Sequence, residues 1–257
     1  RFDEKGLIYL VKMFKTFSCH VLLLLVAYQI NLSHAIGVIG GVKTTITDHP
    51  YVVSLQLANG THVCGGALIK KNIVVTAAQC FVFQDPAQLY VRLGTDSYAT
   101  GGELLSISSY IINENFDFTT MDSDVAVLKL AKNVAKSSAK REIKVAGEKP
   151  KTDRSGVVTG WSQSRQLEDV TVRIINAKKC RSGEYVYNKD DITDNMFCAQ
   201  AYNRYVCDGE PGSPLVYKKK LIGLVSWGYG CGNVGNPAVY TNVNKLRKWI
   251  KKTIKKL

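Results

Sequence analysis

The sequence predicts an all-β protein. From Tyr51 onward, short runs rich in β-branched residues alternate with turn signals made of Gly and Asn, which is typical of strands in sheets. The runs include VVSLQL, NIVVTAA, LYVRLG, DVAVLKL, GVVTGW and LIGLVSWG. Asn59-Gly60 stands between two alternating segments and predicts a tight hairpin turn. The chain has 257 residues, of which 46% are hydrophobic and 21% charged, so it can bury a large core.

The first 35 residues are predicted to lie outside the fold. Met13 precedes an apolar run over Val21–Ala27, and Ser33-His34-Ala35 places small residues at the positions that signal peptidase requires. This pattern predicts a secretory signal cleaved after that alanine, and the run is too short to span a membrane. Residues 1–12 are interpreted as upstream read-through. We therefore expect a secreted, extracellular protein without a stable membrane anchor, beginning at Ile36.

The net charge favours an anionic partner. The whole chain carries +13, and because residues 1–35 hold four basic and two acidic side chains, the remainder carries +11. An excess of this size attracts polyanions through long-range electrostatics. A soluble basic protein without such a partner is the alternative, and we expect no nucleic acid among the partners.

The last thirteen residues, KLRKWIKKTIKKL, predict an amphipathic helix over 245–257. Apolar and small side chains recur at i, i+3 and i+4 and form one face, namely Leu246, Trp249, Ile250, Thr253, Ile254 and Leu257. Cations occupy the rest of the helix: Lys245, Arg247, Lys248, Lys251, Lys252, Lys255 and Lys256. We expect the apolar face to dock on the protein and the basic face to be available to a polyanion.

The cysteines indicate a disulfide framework. Of the seven, Cys19 falls in the signal segment, and the six that remain in a secreted chain allow fifteen pairings. No Cys/His spacing resembles a zinc site, and the loop after Leu93-Gly94 lacks the acidic cluster of a calcium loop. We therefore expect no metal and no cofactor.

The segment Cys207–Val216, CDGEPGSPLV, resembles the nucleophile loop of the chymotrypsin-like serine proteases, which reads C-x-G-D-S-G-G-P-L-V. Glu210 stands where the family has Asp, Pro211 where it has the nucleophilic Ser, and Ser213 where Gly is usual. Proline also lacks a backbone N–H, so of the two oxyanion-hole donors only that of Gly209 would remain. Ser213 would lie about 7 Å further along an extended chain, too far to take over.

A second segment, Val75–Cys80 (VTAAQC), resembles the family segment that carries the catalytic histidine. Gln79 stands at the histidine's position, and an amide does not take up a proton near pH 7. Asp124, within DSDVAVLKL, matches the triad aspartate. We expect Asp124 to be bound by Gln79, Ser226 or nearby backbone N–H groups. The degenerate triad predicts that the protein is not an enzyme.

The positions of the specificity pocket also differ from those of trypsin-like members. By the resemblance, Tyr205 lies at the base of the pocket, where those members carry Asp, and it would occlude the slot. The other pocket positions are Ser226, Trp227, Gly228 and Ala238. A core position for Tyr205, outside any pocket, is the alternative.

The segment Val38-Ile39-Gly40-Gly41 resembles the mature N-terminus of active members, whose amine pairs with the Asp before the nucleophile. Gly37 precedes it, and a trypsin-like activator does not cut after glycine. Glu210, at the position of the pairing Asp, is one methylene longer. We interpret zymogen activation as abandoned, with Ile36 or Val38 as the first residue of the mature chain.

The resemblance covers about residues 38–257 and implies two six-stranded antiparallel β-barrels of the chymotrypsin/trypsin type with a C-terminal helix. We expect the N-terminal barrel over 36–140 and the C-terminal barrel with its helix over 141–257. The resemblance also implies three disulfides, Cys64–Cys80, Cys180–Cys198 and Cys207–Cys231.

The segments VIGGVKTTITDHPYVVSLQ and ITDNMFCA are similar to those of mite trypsin-like gut proteases of the group 3 allergen type. With the degenerate triad, the chain resembles the scabies mite inactivated serine protease paralogues, which implies interference with host complement in the gut lumen. We therefore expect a non-catalytic binding protein that contacts host plasma or complement proteins through an exosite. Rival hypotheses are a residually active protease, a basic polyanion-binding protein, and a decoy for protease inhibitors or substrates.

Asn59-Gly60-Thr61 is also a glycosylation sequon.

Overall fold

The structure, a computed structural model, describes residues 41–82, 84–148, 151–161, 165–201, 210–229 and 236–257. The strands are β1 Val42–Lys43, β2 Val52–Leu57, β3 His62–Lys70, β4 Ile73–Thr76, β5 Leu89–Leu93, β6 Glu103–Ile112, β7 Ala126–Leu130, β8 Lys144–Val145, β9 Ser155–Trp161, β10 Leu167–Ile174, β11 Met196–Ala201, β12 Pro214–Tyr217, β13 Lys220–Trp227 and β14 Ala238–Asn242. The helices are α1 Ala177–Cys180 and α2 Arg247–Ile254, with 3₁₀ turns at Ala78–Phe81 and Pro86–Gln88. Within these ranges, no helix is both long and apolar enough to cross a membrane.

The first barrel closes in the order β2-β3-β4-β7-β6-β5, with all neighbours antiparallel. Strand β5 alternates buried and half-buried residues, so Leu89, Val91 and Leu93 point into the barrel core. The predicted hairpin turn joins β2 to β3. Gly60 adopts φ +84°, which glycine reaches without steric cost, and the N–H of Thr61 donates to Asn59 Oδ1 at 3.0 Å.

The second barrel closes in the order β9-β10-β11-β14-β13-β12, again antiparallel throughout. Two short strands join it from outside: β1 pairs with β10, and β8 runs parallel to the start of β13. The predicted all-β fold of two six-stranded barrels is therefore confirmed. The domain boundary predicted at residue 140 falls between β7 and β8.

The C-terminal segment forms the predicted amphipathic helix over Arg247–Ile254, which is shorter at both ends than the predicted range 245–257. Leu246, Ile250 and Thr253 are buried, and the two aliphatic side chains join a core cluster with residues of both barrels, including Val127 and Leu221. This packing fixes the helix, so the direction of its opposite, lysine-rich face is also fixed.

Two of the three implied disulfides lie within the described residues. Cys64–Cys80 ties β3 to the 3₁₀ turn after β4, and Cys180–Cys198 ties α1 to β11. Cys207 and Cys231, implied to form the third, lie outside the described residues.

Candidate functional site

Asp124 is fully buried two residues before β7 and is surrounded by neutral donors. Its Oδ1 accepts the backbone N–H of Gln79 at 2.9 Å. Its Oδ2 accepts from Gln79 Nε2 at 2.7 Å and from the hydroxyl of Ser226 at 2.6 Å. These are the partners expected from the sequence. Burial raises the pKa of Asp124, and the hydrogen bonds from Ser226 and Gln79 oppose that rise only in part.

Gln79 reaches Asp124 from the 3₁₀ turn that follows β4. Besides its bond to Asp124, its Nε2 donates to the carbonyl oxygen of Ser226 at 2.8 Å. Both partners are acceptors, so the amide orientation is fixed and both N–H groups are used. The side chain therefore bridges the two barrels as a donor and offers no basic nitrogen to a substrate.

The segment before Asp124 is held in an unusual backbone conformation. Met121 and Ser123 have φ values of +57° and +54°, a region that residues other than glycine rarely adopt. Asn195 Nδ2 donates to Ser123 Oγ at 3.1 Å and to Asp122 Oδ2 at 3.0 Å. On the far side, Thr241 Oγ1 donates to the carbonyl of Asp124 at 2.8 Å. Contacts from the second barrel thus hold Asp124 in place.

Glu210 is the second buried carboxylate near this network, and its main partner is His62 from the start of β3. The imidazole Nε2 of His62 contacts Glu210 Oε2, and its Nδ1 shares a hydrogen bond of 2.6 Å with Ser54 Oγ. The ring stacks on Tyr98 at a centroid distance of 4.9 Å and meets the edge of Trp161 at 5.7 Å. Glu210 therefore has an ionisable partner inside the protein, supplied by the first barrel.

Sequence reasoning missed His62. It singled out Glu210 only as the position that meets the free N-terminal amine in active family members. The sequence did offer a signal, because histidine is rare in this chain. After the predicted signal segment only His49 and His62 remain, and a histidine is a natural partner for a buried carboxylate. Residues 36–40, where the mature N-terminus was predicted, lie outside the described residues.

Pro211 is half-buried and is held by its backbone. Its carbonyl oxygen accepts the N–H of Gly65 at 2.9 Å. The next residue, Gly212, has φ +84°, and a Cβ there would lie 2.3 Å from the carbonyl oxygen of Gly65, so only glycine fits. Ser213 is fully buried and its hydroxyl donates to Glu210 Oε1 at 3.2 Å. We expected that Ser213 would not replace the missing nucleophile, and its hydroxyl is hydrogen-bonded to another residue of the same loop.

The positions predicted to form the specificity pocket are only partly described. Ser226 and Trp227 lie at the end of β13, Gly228 follows it, and Ala238 is buried at the start of β14. Trp227 packs against two tyrosine rings, Tyr187 at 5.2 Å and Tyr229 at 5.6 Å between centroids. Tyr205, predicted at the pocket base, and Gly209, the predicted remaining oxyanion donor, lie outside the described residues.

No metal site is found in the part of the chain that the structure describes, since no group of three or more His, Cys, Asp or Glu side chains there is arranged to hold an ion. The chemical groups of the described network are therefore hydrogen-bond donors, two buried carboxylates and the imidazole of His62.

Comparison with known proteins identifies the family. The Trypsin family model matches residues 38–250. The chain is 43% identical to a trypsin from Sarcophaga bullata over 229 residues, covering 86% of this chain and 90% of the relative. It is 41% identical to trypsin theta from Drosophila melanogaster over 222 residues, covering 83% of this chain and 84% of the relative.

A solved structure gives a second comparison. The crystal structure of scabies mite inactivated protease paralogue S-D1 superposes with a TM-score of 0.76 and 25% sequence identity, covering 84% of this chain and 97% of that one. The fly relatives are named as trypsins and the mite relative as inactivated, so family membership alone does not decide activity. Family model, sequence relatives and fold agree, and the chain belongs to the trypsin family of chymotrypsin-like serine proteases.

Proposed function

We propose that this protein is a secreted, proteolytically inactive member of the trypsin family that acts as a binding protein and interferes with host complement. The main observation that supports inactivity is the hydrogen bonding of the Gln79 side chain. Both N–H groups of its side chain are bonded to acceptors, on Asp124 and Ser226, at the position where the family has its general base.

Changes at two positions, which affect three parts of the catalytic machinery, support the loss of catalysis. Gln79 replaces the base and Pro211 replaces the nucleophile, and loss of a nucleophile alone costs about 10⁶ in rate. Pro211 also removes one oxyanion-hole donor, which costs roughly 10² to 10³ more. Asp124 keeps a structural role, as the acceptor for donors from both barrels.

A binding role is supported by what is retained. The disulfides Cys64–Cys80 and Cys180–Cys198 are present, and both barrels are closed. Closed barrels with disulfides can present a stable surface to a partner. Binding through such a surface needs no catalytic groups from the degenerate active site. The complement role rests on the likeness to the mite inactivated paralogue and on the sequence segments that resemble mite proteases. Secretion into the gut lumen rests on the predicted signal segment and on the same resemblance.

The inactivity is tested with a panel of fluorogenic peptides and a fluorophosphonate probe that labels activated serines. We expect turnover at the buffer background and no labelling, with bovine trypsin as the positive control. Specific hydrolysis or stoichiometric labelling by the purified protein would overturn the proposal.

The complement role is tested by complement-mediated lysis of red cells, titrated with the secreted protein. A basic protein of the same size serves as the control for nonspecific charge effects. Inhibition beyond that control supports the proposal and makes complement components the candidates for pull-down. Equal curves for the two proteins would eliminate the complement role and leave the inactive protease fold in place.

A further inference from the structure

The outer face of α2, together with the residues that flank the helix, is a dense cationic surface. Lys245, Lys248, Lys251, Lys252, Lys255 and Lys256 are all exposed. Among the residues that the structure describes, only Lys245 of this group has a carboxylate oxygen within 4 Å, that of Asp194 at 3.9 Å. Glu114 lies near Lys252 and Lys256 but accepts its hydrogen bond from Trp249 Nε1. Within the part of the chain that the structure describes, most of this positive charge is therefore without a paired carboxylate.

The structure extends this surface beyond the helix. The guanidinium of Arg247 lies 3.8 Å from the Cβ position of Gly147, and Asn244 Nδ2 donates to the carbonyl of Ala146 at 3.3 Å. Lys144 in β8, three residues before Gly147, pairs with Lys220 in β13. The start of α2 is thus joined through 144–147 to the β12–β13 hairpin, which sequence spacing did not indicate.

The hairpin itself carries lysines at an unexpected place. Tyr217 pairs with Lys220, so Lys218 and Lys219 form a two-residue turn, with φ values of +48° and +58°. Turns of this kind favour Asn-Gly because both residues need positive φ. Here both positions are lysine, and Lys218, Lys219 and Lys220 are exposed, as is Lys144. The turn therefore places adjacent positive charges at the tip despite an unfavourable backbone.

We propose that α2, β8 and the β12–β13 turn together form a docking surface for a sulfated glycosaminoglycan. This surface, called the basic band, consists of Lys144, Lys218, Lys219, Lys220, Lys245, Arg247, Lys248, Lys251, Lys252, Lys255 and Lys256. Among the described residues, carboxylates lie near the band at Glu114 and Asp194. A long flexible chain with repeated sulfates matches such an extended row of positive charges.

Two features favour a soluble polysaccharide over a membrane or a nucleic acid. Leu246 and Ile250 are packed in the core, so they are not available to insert among lipid chains, as a helix lying in a membrane requires. All but one of the cations are lysines, which act as point charges, whereas Arg dominates where phosphate is bound in bidentate fashion. The band would bind polyanions whether or not the protein acts on complement.

The test measures the affinity of the full secreted protein for heparin. We expect the affinity to fall steeply between about 0.15 M and about 1 M NaCl, because salt screens exposed charges. Lys251→Gln/Lys252→Gln/Lys255→Gln should weaken binding at least about tenfold. Lys218→Gln/Lys219→Gln should weaken it about threefold or more, a change that binding by the helix alone would not give.

A variant with the same change of charge elsewhere is the control. Lys43→Gln/Lys178→Gln/Lys189→Gln alters three exposed lysines on β1, α1 and the segment after α1, and it should keep heparin affinity within about twofold. Equal losses in the control and the helix variant would overturn the proposal, as would an unchanged affinity of the hairpin variant. Tighter binding to phosphatidylserine vesicles or to duplex DNA than to heparin would also overturn it. Far-UV circular dichroism of each variant verifies that the fold is kept.

Discussion

Two buried carboxylates lie at the junction of the barrels, and they are stabilised in different ways. Asp124 is surrounded by neutral donors: an amide, a hydroxyl and a backbone N–H. Glu210 instead contacts the imidazole of His62, which can carry a charge, and receives a hydroxyl from Ser213. Both are nearly or fully excluded from solvent, yet only Glu210 has an ionisable partner at hydrogen-bonding distance among the described residues.

This difference between the partners of Asp124 and Glu210 shows the effect of having Gln79 at the position of the family's histidine. In an active member the aspartate orients an imidazole, and the pair can move a proton. Here the amide satisfies the same oxygen without being able to ionise. The nearby imidazole in this protein is that of His62, a different position, and it contacts the buried Glu210. The two carboxylates should therefore respond differently to mutation of their partners.

The largest expected effect is the loss of Glu210's partner. His62→Leu leaves a buried carboxylate without its main partner, and we expect a loss of about 3–5 kcal/mol in the free energy of unfolding. His49→Leu is the matched control, since His49 also contacts a carboxylate, Asp169, but one that is 30% exposed. That variant should lose less than about 1 kcal/mol. Urea unfolding measures both, and equal losses would contradict the distinction.

An intermediate effect is expected from the titration of Asp124. Burial raises its pKa in the folded protein, so the folded state holds the proton more tightly than the unfolded chain, where the pKa is about 3.9. The stability that this gives is present below the unfolded pKa and is lost as pH rises through the folded pKa. Asp124→Asn cannot titrate, so the wild type should lose stability relative to this variant as pH rises from 4. Unfolding curves at a series of pH values measure this trend, and a difference that does not vary with pH would contradict it.

The smallest effect concerns a carboxylate near the surface, which shows the opposite sign. Glu103 is 27% exposed and pairs with Lys140 at 2.8 Å and Lys132 at 3.2 Å. The hydrogen bond from Lys140 lowers its pKa, so its contribution is present above the unfolded pKa and lost as pH falls through the folded one. Lys140→Gln should cost at most about 1 kcal/mol near neutral pH, and salt should reduce that cost. Thermal unfolding at low and high ionic strength measures it, and a cost that salt leaves unchanged would contradict surface screening.

Local patterns predicted much of the fold. The alternating run LYVRL became β5 with its apolar side chains in the barrel core, and Asn59-Gly60 became the predicted turn. The spacing of Leu246, Ile250 and Thr253 correctly predicted the buried face of the C-terminal segment. Two of the three disulfides implied by the resemblance are present. Each of these predictions depends on residue spacing or on a family motif, which the sequence displays directly.

The sequence by itself determined the chemistry available at each position: an amide at residue 79, a carboxylate at 124 and an imino acid at 211. The tertiary structure decided which groups meet. Glu210 finds His62 across 148 positions, Gln79 finds the carbonyl of Ser226 across 147, and the lysines of the β12–β13 turn join those of α2 through β8. These contacts depend on barrel closure and strand register, which arise from packing over the whole chain and leave no mark in the local pattern.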